Sequence, residues 1–121
     1  MLSLTGGMKY VYCEGNVSFH YKWDGLDSYI RYVLNEDPRS GKVFIFMHKG
    51  RRQLRVFYYE RNGYVLSEKK LDSAYKFVRP VFDKAKKKYN ICWADLVLLL
   101  EDTVVTKVYM TEVACWHVKY T

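Results

Sequence analysis

The 121 residues predict an α+β domain in which an antiparallel β-meander packs with two or three helices. Three β-prone runs follow one another between residues 43 and 70, separated by turn signals. A stretch with apolar residues at helical spacing precedes them, and a short leucine-rich stretch follows. No internal repeat or low-complexity segment interrupts this order, so the length suits one domain.

Taken in order, Lys9 to Cys13 reads as a short strand and Val17 to Trp23 as another. Gly15-Asn16 between them is a turn signal, which gives a hairpin or an irregular connection. Asp24 to Asn35 reads as a helix. Asp24 stands as its N-cap, Asp27 lies near the positive end of the dipole, and Leu26, Ile30, Val33 and Leu34 recur at helical spacing. Pro38 forbids continuation, and "DPRSG" supplies turn chemistry through the fixed φ of proline and the freedom of Gly41.

Val43 to His48, Gln53 to Glu60 and Tyr64 to Lys70 are the three strands of the meander. Asn62-Gly63 is the type I′ hairpin signal, because both central residues of that turn need positive φ. With that loop, Arg61 faces Tyr64, Tyr59 faces Leu66, Phe57 faces Glu68 and Arg55 faces Lys70. Alternation then turns Leu54, Val56 and Tyr58 to the core and groups Arg55, Lys70, Phe57 and Tyr59 on the other face. "HKGRR" becomes the exposed loop between the first two strands.

Ser73 to Tyr89 is basic, and Pro80 suits the first turn of a helix running to Tyr89, with Val81, Ala85 and Tyr89 on its inner side. Cys92 to Glu101 reads as a short apolar helix, with a buried strand as the second reading. Val104 to Tyr120 is rich in β-branched and aromatic residues and reads as one long strand or two short ones.

Composition excludes several classes. Half the residues are apolar, which argues against disorder. No apolar run approaches the roughly 20 residues of a membrane helix. "MLSLTGGMKY" lacks the basic region and apolar core of a signal peptide, so a cytosolic location is expected. Cys13, Cys92 and Cys115 form no CxxC pair and fit neither a disulfide framework nor a zinc site. They read as reduced, half-buried thiols.

The net charge of +7 is unevenly placed: residues 1–41 carry −1, residues 42–88 carry +10 and residues 89–121 carry −2. A field concentrated in the middle third attracts phosphate backbones or acidic partners. Chemistry, by contrast, finds no constellation. His20, His48 and His117 are scattered, Asp24 and Asp27 are explained by the helix start, and the Cys115/His117 pair lacks a third member. "TGGMK" at Thr5 to Lys9 has only the composition of a P-loop. A non-enzyme that needs no cofactor or metal is expected. Arginine and lysine beside tyrosine and phenylalanine are what nucleic-acid-binding sheets use, for phosphates and for stacking. An acidic protein partner would use the same charges.

The residues "WDGLDSYIRYVLNEDPRSGKVFIFMHKGRRQLRVFYYERNGYVLSEKKL" carry a resemblance. Asp24-Gly25-Leu26 opens a helix, Asp37-Pro38-Arg39-Ser40-Gly41 is the turn, and Phe44-Ile45-Phe46 is a strand. Lys49, Arg51 and Arg52 occupy a basic loop; Tyr58-Tyr59-Glu60, Gly63-Tyr64-Val65-Leu66 and Lys69-Lys70-Leu71 follow. In order and spacing this resembles the second open reading frame protein of the insertion-sequence-66 family, also called TnpB, over most of residues 1–102 and most strongly over 24–71. "SFHYKW" departs from the family's Asp-Met-Arg-Lys-Gly and keeps only Lys22 of its basic pair, and the tail 103–121 has no counterpart.

The resemblance implies an accessory protein of transposition, with strand cleavage left to the transposase. The expected partners are therefore DNA and the cognate transposase, with no membrane. The expected contacts are Lys49, Arg51, Arg52, Arg55, Lys69, Lys70, Lys84 and Lys87 to phosphates, extended by Lys86 and Lys88, with Phe57 and Tyr59 as aromatic contacts.

Overall fold

Both faces of the central sheet are covered, and this sets the positions of everything else. The computed structural model describes residues 4–15, 17–101 and 107–110. Its elements are β1 (Tyr10–Cys13), α1 (Trp23–Ser28) continued by a π-helical turn (Tyr29–Val33), β2 (Val43–Met47), β3 (Gln53–Glu60) and β4 (Gly63–Lys70). Then come β5 (Arg79–Val81), β6 (Lys88–Ile91), α2 (Trp93–Glu101) and β7 (Lys107–Tyr109). Five strands form one sheet in the order β4-β3-β2-β1-β6, while β5 and β7 form a separate parallel pair. The fold is α+β, and β2-β3-β4 is the antiparallel meander.

The sheet is mixed, because β1 and β2 run parallel. A parallel pair needs a crossover, and residues 14–42 with α1 supply it. The hairpin between β1 and residues 17–23 therefore does not form; β1 pairs with β2 and β6, and residues 17–22 are irregular. Parallel neighbours buried on both sides read as continuous apolar runs, as "VFIFM" does at β2.

On one face, Tyr10, Tyr12, Val43, Ile45, Leu54, Val56 and Tyr58 meet Phe77, Val78, Leu96, Leu99 and Met110. On the other, Val11, Cys13, Phe44, Phe46 and Phe57 lie under Leu26, Ile30 and Leu34 of the α1 segment. Each such buried Phe or Leu contributes about 2 kcal/mol from the area it removes from water. Cys13 and Cys92 are buried, and burial pushes the Cys13 thiol well above its ordinary value; Cys115 lies outside the described residues.

Three local expectations are corrected. Asp24 is not the N-cap but sits in the first turn; Lys22 holds the cap position and makes no side-chain capping bond. In the hairpin, Arg61 and Asn62 take the two positive-φ positions at 51° and 69°, and Glu60 pairs with Gly63. Every pair is thus shifted by two residues, so Arg55 faces Glu68, Phe57 faces Leu66 and Tyr59 faces Tyr64. The shift replaces a like-charge Arg55/Lys70 pair with an opposite-charge one, which is the stabilising arrangement across strands.

Residues 80–89 are not helical. Pro80 lies in β5, and Tyr89 of β6 stacks on Phe82 with ring centroids 3.7 Å apart while its hydroxyl donates to the Lys84 carbonyl. A helix would have set Lys84 at three and four residues from Lys87 and Lys88, a like-charge arrangement that costs stability. The helix at 92–101 is present as α2, and of the expected C-terminal strand only β7 falls among the described residues.

The end of α1 has its own logic. Leu34 donates its N–H to the Tyr29 carbonyl, an i to i+5 bond, and Asn35 adopts φ 55°, the left-handed stop that Asn tolerates. At the other end, a Cβ on Gly25 would lie 2.8 Å from Tyr21 Cγ and 2.9 Å from its Cβ. Only glycine lets that ring rest on the helix. Helix propensity alone would favour alanine by about 1 kcal/mol, but overpacking costs about 1–3 kcal/mol. Gly25→Ala is therefore expected to lower stability by about 1 kcal/mol in denaturant titration, and a stabilised variant would contradict this packing.

Candidate nucleic-acid interface

The pairing register collects the basic segments at one end of the sheet. One row runs Lys88, Cys13, Phe46, Arg55, Glu68 from edge to edge. One step further, Glu14 donates its N–H to the Lys87 carbonyl at 2.8 Å, Met47 pairs with Leu54, and Leu54 pairs with Lys69. Beyond that, His48 donates to the Gln53 carbonyl at 2.9 Å and Gln53 pairs with Lys70. The 48–52 loop, the last lysines of β4 and the lysine run before β6 therefore share the end at which β1 and β2 finish. Five strands at about 4.8 Å spacing make this end about 19 Å wide.

Backbone bonds fasten these segments to each other. Arg51 N–H donates to the His48 carbonyl at 2.8 Å, Leu71 N–H to the Arg52 carbonyl at 2.8 Å, and Phe77 N–H to the Arg51 carbonyl at 2.6 Å. The loop is thereby tied to residues 71–77, which bring in Lys76. Arg51 adopts φ 61°, an uncommon conformation for a residue with a Cβ.

Of the residues expected from sequence, Lys49, Arg52, Lys69, Lys70, Lys84 and Lys87 are exposed at this end and Arg51 is half-buried there. Lys69 donates through Nζ to the Leu100 carbonyl at 2.8 Å, and Lys88 is held by Glu36 at 2.6 Å. Glu36 also takes Lys42 at 3.0 Å. Burial works to raise the Glu36 pKa, yet the bonds from Lys88 and Lys42 outweigh it and leave the carboxyl below its ordinary value.

Arg55 and Phe57 are not surface residues. Phe57 is fully buried beneath α1, and Arg55 is 3% exposed. Its guanidinium donates to Glu68 Oε1 at 2.5 Å, to the Tyr21 carbonyl at 2.6 Å and to the Phe19 carbonyl at 2.6 Å, and lies 4.6 Å from the Phe19 ring centroid. A buried charge persists only when satisfied in this way. Tyr59 is half-buried at the opposite end of the sheet, edge-on to Tyr64 and beneath Arg39 at 5.0 Å. It lies six residue steps along β3 from Gln53, about 20 Å away.

What Arg55 builds could not be read from the order of residues. By holding residues 19–21 it forms one wall of a cleft of about 590 Å³ whose other wall is Met47, His48, Lys49 and Gln53. A second cavity of about 220 Å³ shares Gly15, Met47, His48 and Lys49 and adds Glu14 and Arg79. Burial raises the Glu14 pKa, partly offset by the Arg79 charge. Among the described residues no group of three or more His, Cys, Asp or Glu could hold a metal, and no helix is long and apolar enough to cross a membrane.

The chain matches the family described as IS66 Orf2 like protein over residues 8–109. It is 31% identical over 85 residues to the uncharacterized protein y4jC of Sinorhizobium fredii (strain NBRC 101917 / NGR234), covering 70% of this chain and 73% of that protein. No solved structure matches it. The family match begins after the opening residues and runs through β7, beyond the limit at residue 102 that the motifs alone had suggested.

Removing the Arg55 side chain would strand two carbonyls and release the 19–21 segment. Arg55→Ala is expected to cost about 3 kcal/mol, and Arg55→Lys to recover little of it, since an ammonium lacks the guanidinium's planar fork. Equilibrium unfolding of both variants checks this. A lysine variant as stable as the parent would mean the fork is unimportant.

Proposed function

The chain belongs to the IS66 Orf2-like family, with an accessory role in insertion-sequence transposition, and from that premise we propose that it contacts DNA through the basic end of its sheet. The observation that carries the proposal is the convergence of three separate basic segments, 48–52, 69–76 and 84–87, on one end about 19 Å wide. A surface of that width lets cations at its two edges reach phosphates flanking a groove about 12 Å across. Lys49, Arg51, Arg52, Lys69, Lys70, Lys84 and Lys87 serve as phosphate contacts that position the protein without reading sequence. The protein is non-catalytic, acts in the cytoplasm, and leaves strand cleavage and transfer to the transposase.

A second reading, docking on the transposase itself, is favoured by the outer edge of β4. Leu71 N–H points inward to Arg52, so in this ladder odd-numbered residues bond to β3. Tyr64, Leu66, Glu68 and Lys70 therefore turn their backbone N–H and C=O outward. Among the described residues no strand pairs with that edge, which an extended segment of a partner could join.

Salt titration of duplex binding separates the two. With about seven phosphate contacts, affinity should fall by roughly 10⁴-fold between about 50 and 200 mM salt, and Arg51→Glu with Arg52→Glu should flatten the slope by about two contacts. A shallow slope unaltered by those changes would overturn direct DNA contact. If, in that case, the transposase were still captured after nuclease treatment, the β4 edge would carry the function.

A further inference from the structure

The 590 Å³ cleft shares Lys49 with the phosphate-positioning surface, but the rest of its lining, from residues 15–20 with Met47, His48 and Gln53, supplies none of that surface's contacts, and its charge is of one sign. It opens where the parallel strands β1 and β2 end, the place where sheets with parallel strands commonly bind ligands. Among the described residues, His20, His48 and Lys49 line it beside the apolar Val17, Phe19 and Met47, and no carboxylate does; Glu14 lines the smaller cavity, where Arg79 accompanies it.

His48 is held in one orientation by its own loop. Gly50 donates its backbone N–H to His48 Nδ1 at 3.0 Å, so the neutral imidazole carries its proton on Nε2 and offers a donor. A Cβ on Gly50 would lie 3.2 Å from that Nδ1, so a side chain there would press on the ring. Phe19 meets the imidazole edge-on at 5.0 Å, and the carbonyl of Phe19 is fixed by buried Arg55. Both walls are thus held by specific bonds. The volume lies within the range of small-ligand sites and is far too small for a duplex.

We propose that this cleft binds a single phosphate-bearing nucleotide unit, with His48 Nε2–H and Lys49 on the phosphate and Phe19 and Met47 against the sugar or base. The inference deepens the nucleic-acid reading above and rests on it. The unit would be either a free nucleotide or an unpaired strand terminus brought in while the basic end holds the neighbouring duplex. A donor hydrogen bond and an ammonium suit phosphate oxygens, and an aromatic side chain offers a surface for a base of any identity.

Nitrogen-15 and imidazole resonances of the full chain would be followed during titration with thymidine 5′-monophosphate and with a short single strand bearing either a 5′-phosphate or a 5′-hydroxyl. Shifts confined to residues 17–20 and 47–49, with the His48 ring among them, are expected for the phosphate-bearing probes. His48→Asn keeps an acceptor for Gly50 N–H, as Asn does in turns, but loses the Nε2 donor. It should weaken nucleotide binding about tenfold or more while duplex affinity stays within about twofold; Lys70→Ala should do the reverse.

Preference for the phosphorylated strand over the free nucleotide would identify a strand-end site, and equal binding a nucleotide site. Absence of His48 shifts up to about 10 mM nucleotide, or undiminished binding in His48→Asn, would overturn the cleft proposal even if duplex binding held. Loss of duplex binding alone, with the His48 shifts intact, would instead remove the basic-end reading.

Discussion

The buried guanidinium of Arg55 is the interaction on which the arrangement depends. It lies mid-sheet on β3, and from there it reaches β4 through Glu68 and the crossover through the Phe19 and Tyr21 carbonyls. Tyr21 in turn lies against Gly25, so the same bonds fix where α1 begins. The three acceptors are met by three different nitrogens, Nε, Nη1 and Nη2, a spread that the single nitrogen of a lysine cannot reproduce and an apolar residue lacks altogether. The cost of burying the charge is offset by its hydrogen bonds and by the Phe19 ring, and the outcome is a defined path for an otherwise irregular segment.

That path makes the crossover possible, and the crossover makes the sheet mixed. Because β1 and β2 run parallel, the loops following both open at one end, and antiparallel β3, β4 and β6 then bring their own basic ends to the same side. Most of the cations of residues 42–88 are thus gathered by topology rather than by a single helix or strand, Lys42 and Arg61 lying toward the other end. The opposite end is different in kind: there Arg39 lies over Tyr59 and Tyr64, and the Tyr64 hydroxyl donates to Asp27. Burial tends to raise the Asp27 pKa, but the bonds from Arg31 and Tyr64 prevail and keep it low. Those cations are already engaged with carboxylates and rings.

The meander strands and the helices at 24–35 and 92–101 were legible because their signals are local, whereas a strand at 17–23 and a helix at 80–89 were read where the fold forms neither. "VFIFM", "QLRVFYYE" and "CWADLVLLLE" carry apolar patterns that survive any tertiary context, and the meander followed from them. The face assignment failed for β3 because alternation cannot tell a solvated face from one covered by a helix; the continuous apolar run of β2 was the available clue to double coverage. The hairpin register turned on whether Arg61-Asn62 or Asn62-Gly63 occupied the loop, and cross-strand charge decided what turn propensity alone did not. Arg55 read as a surface cation since burial of a lone arginine depends on carbonyls more than thirty positions away in the chain. The cleft was invisible for the same reason, its two walls being joined only by the fold.

The central claim is that one end of the sheet faces nucleic acid. Mapping amide resonance changes on binding of a short duplex tests it most directly. Changes concentrated at residues 48–52, 69–77 and 83–88, with Arg39, Tyr59 and Arg61 undisturbed, are what this account predicts. Changes centred on the hairpin end or along the outer edge of β4, with the 48–52 loop silent, would contradict it.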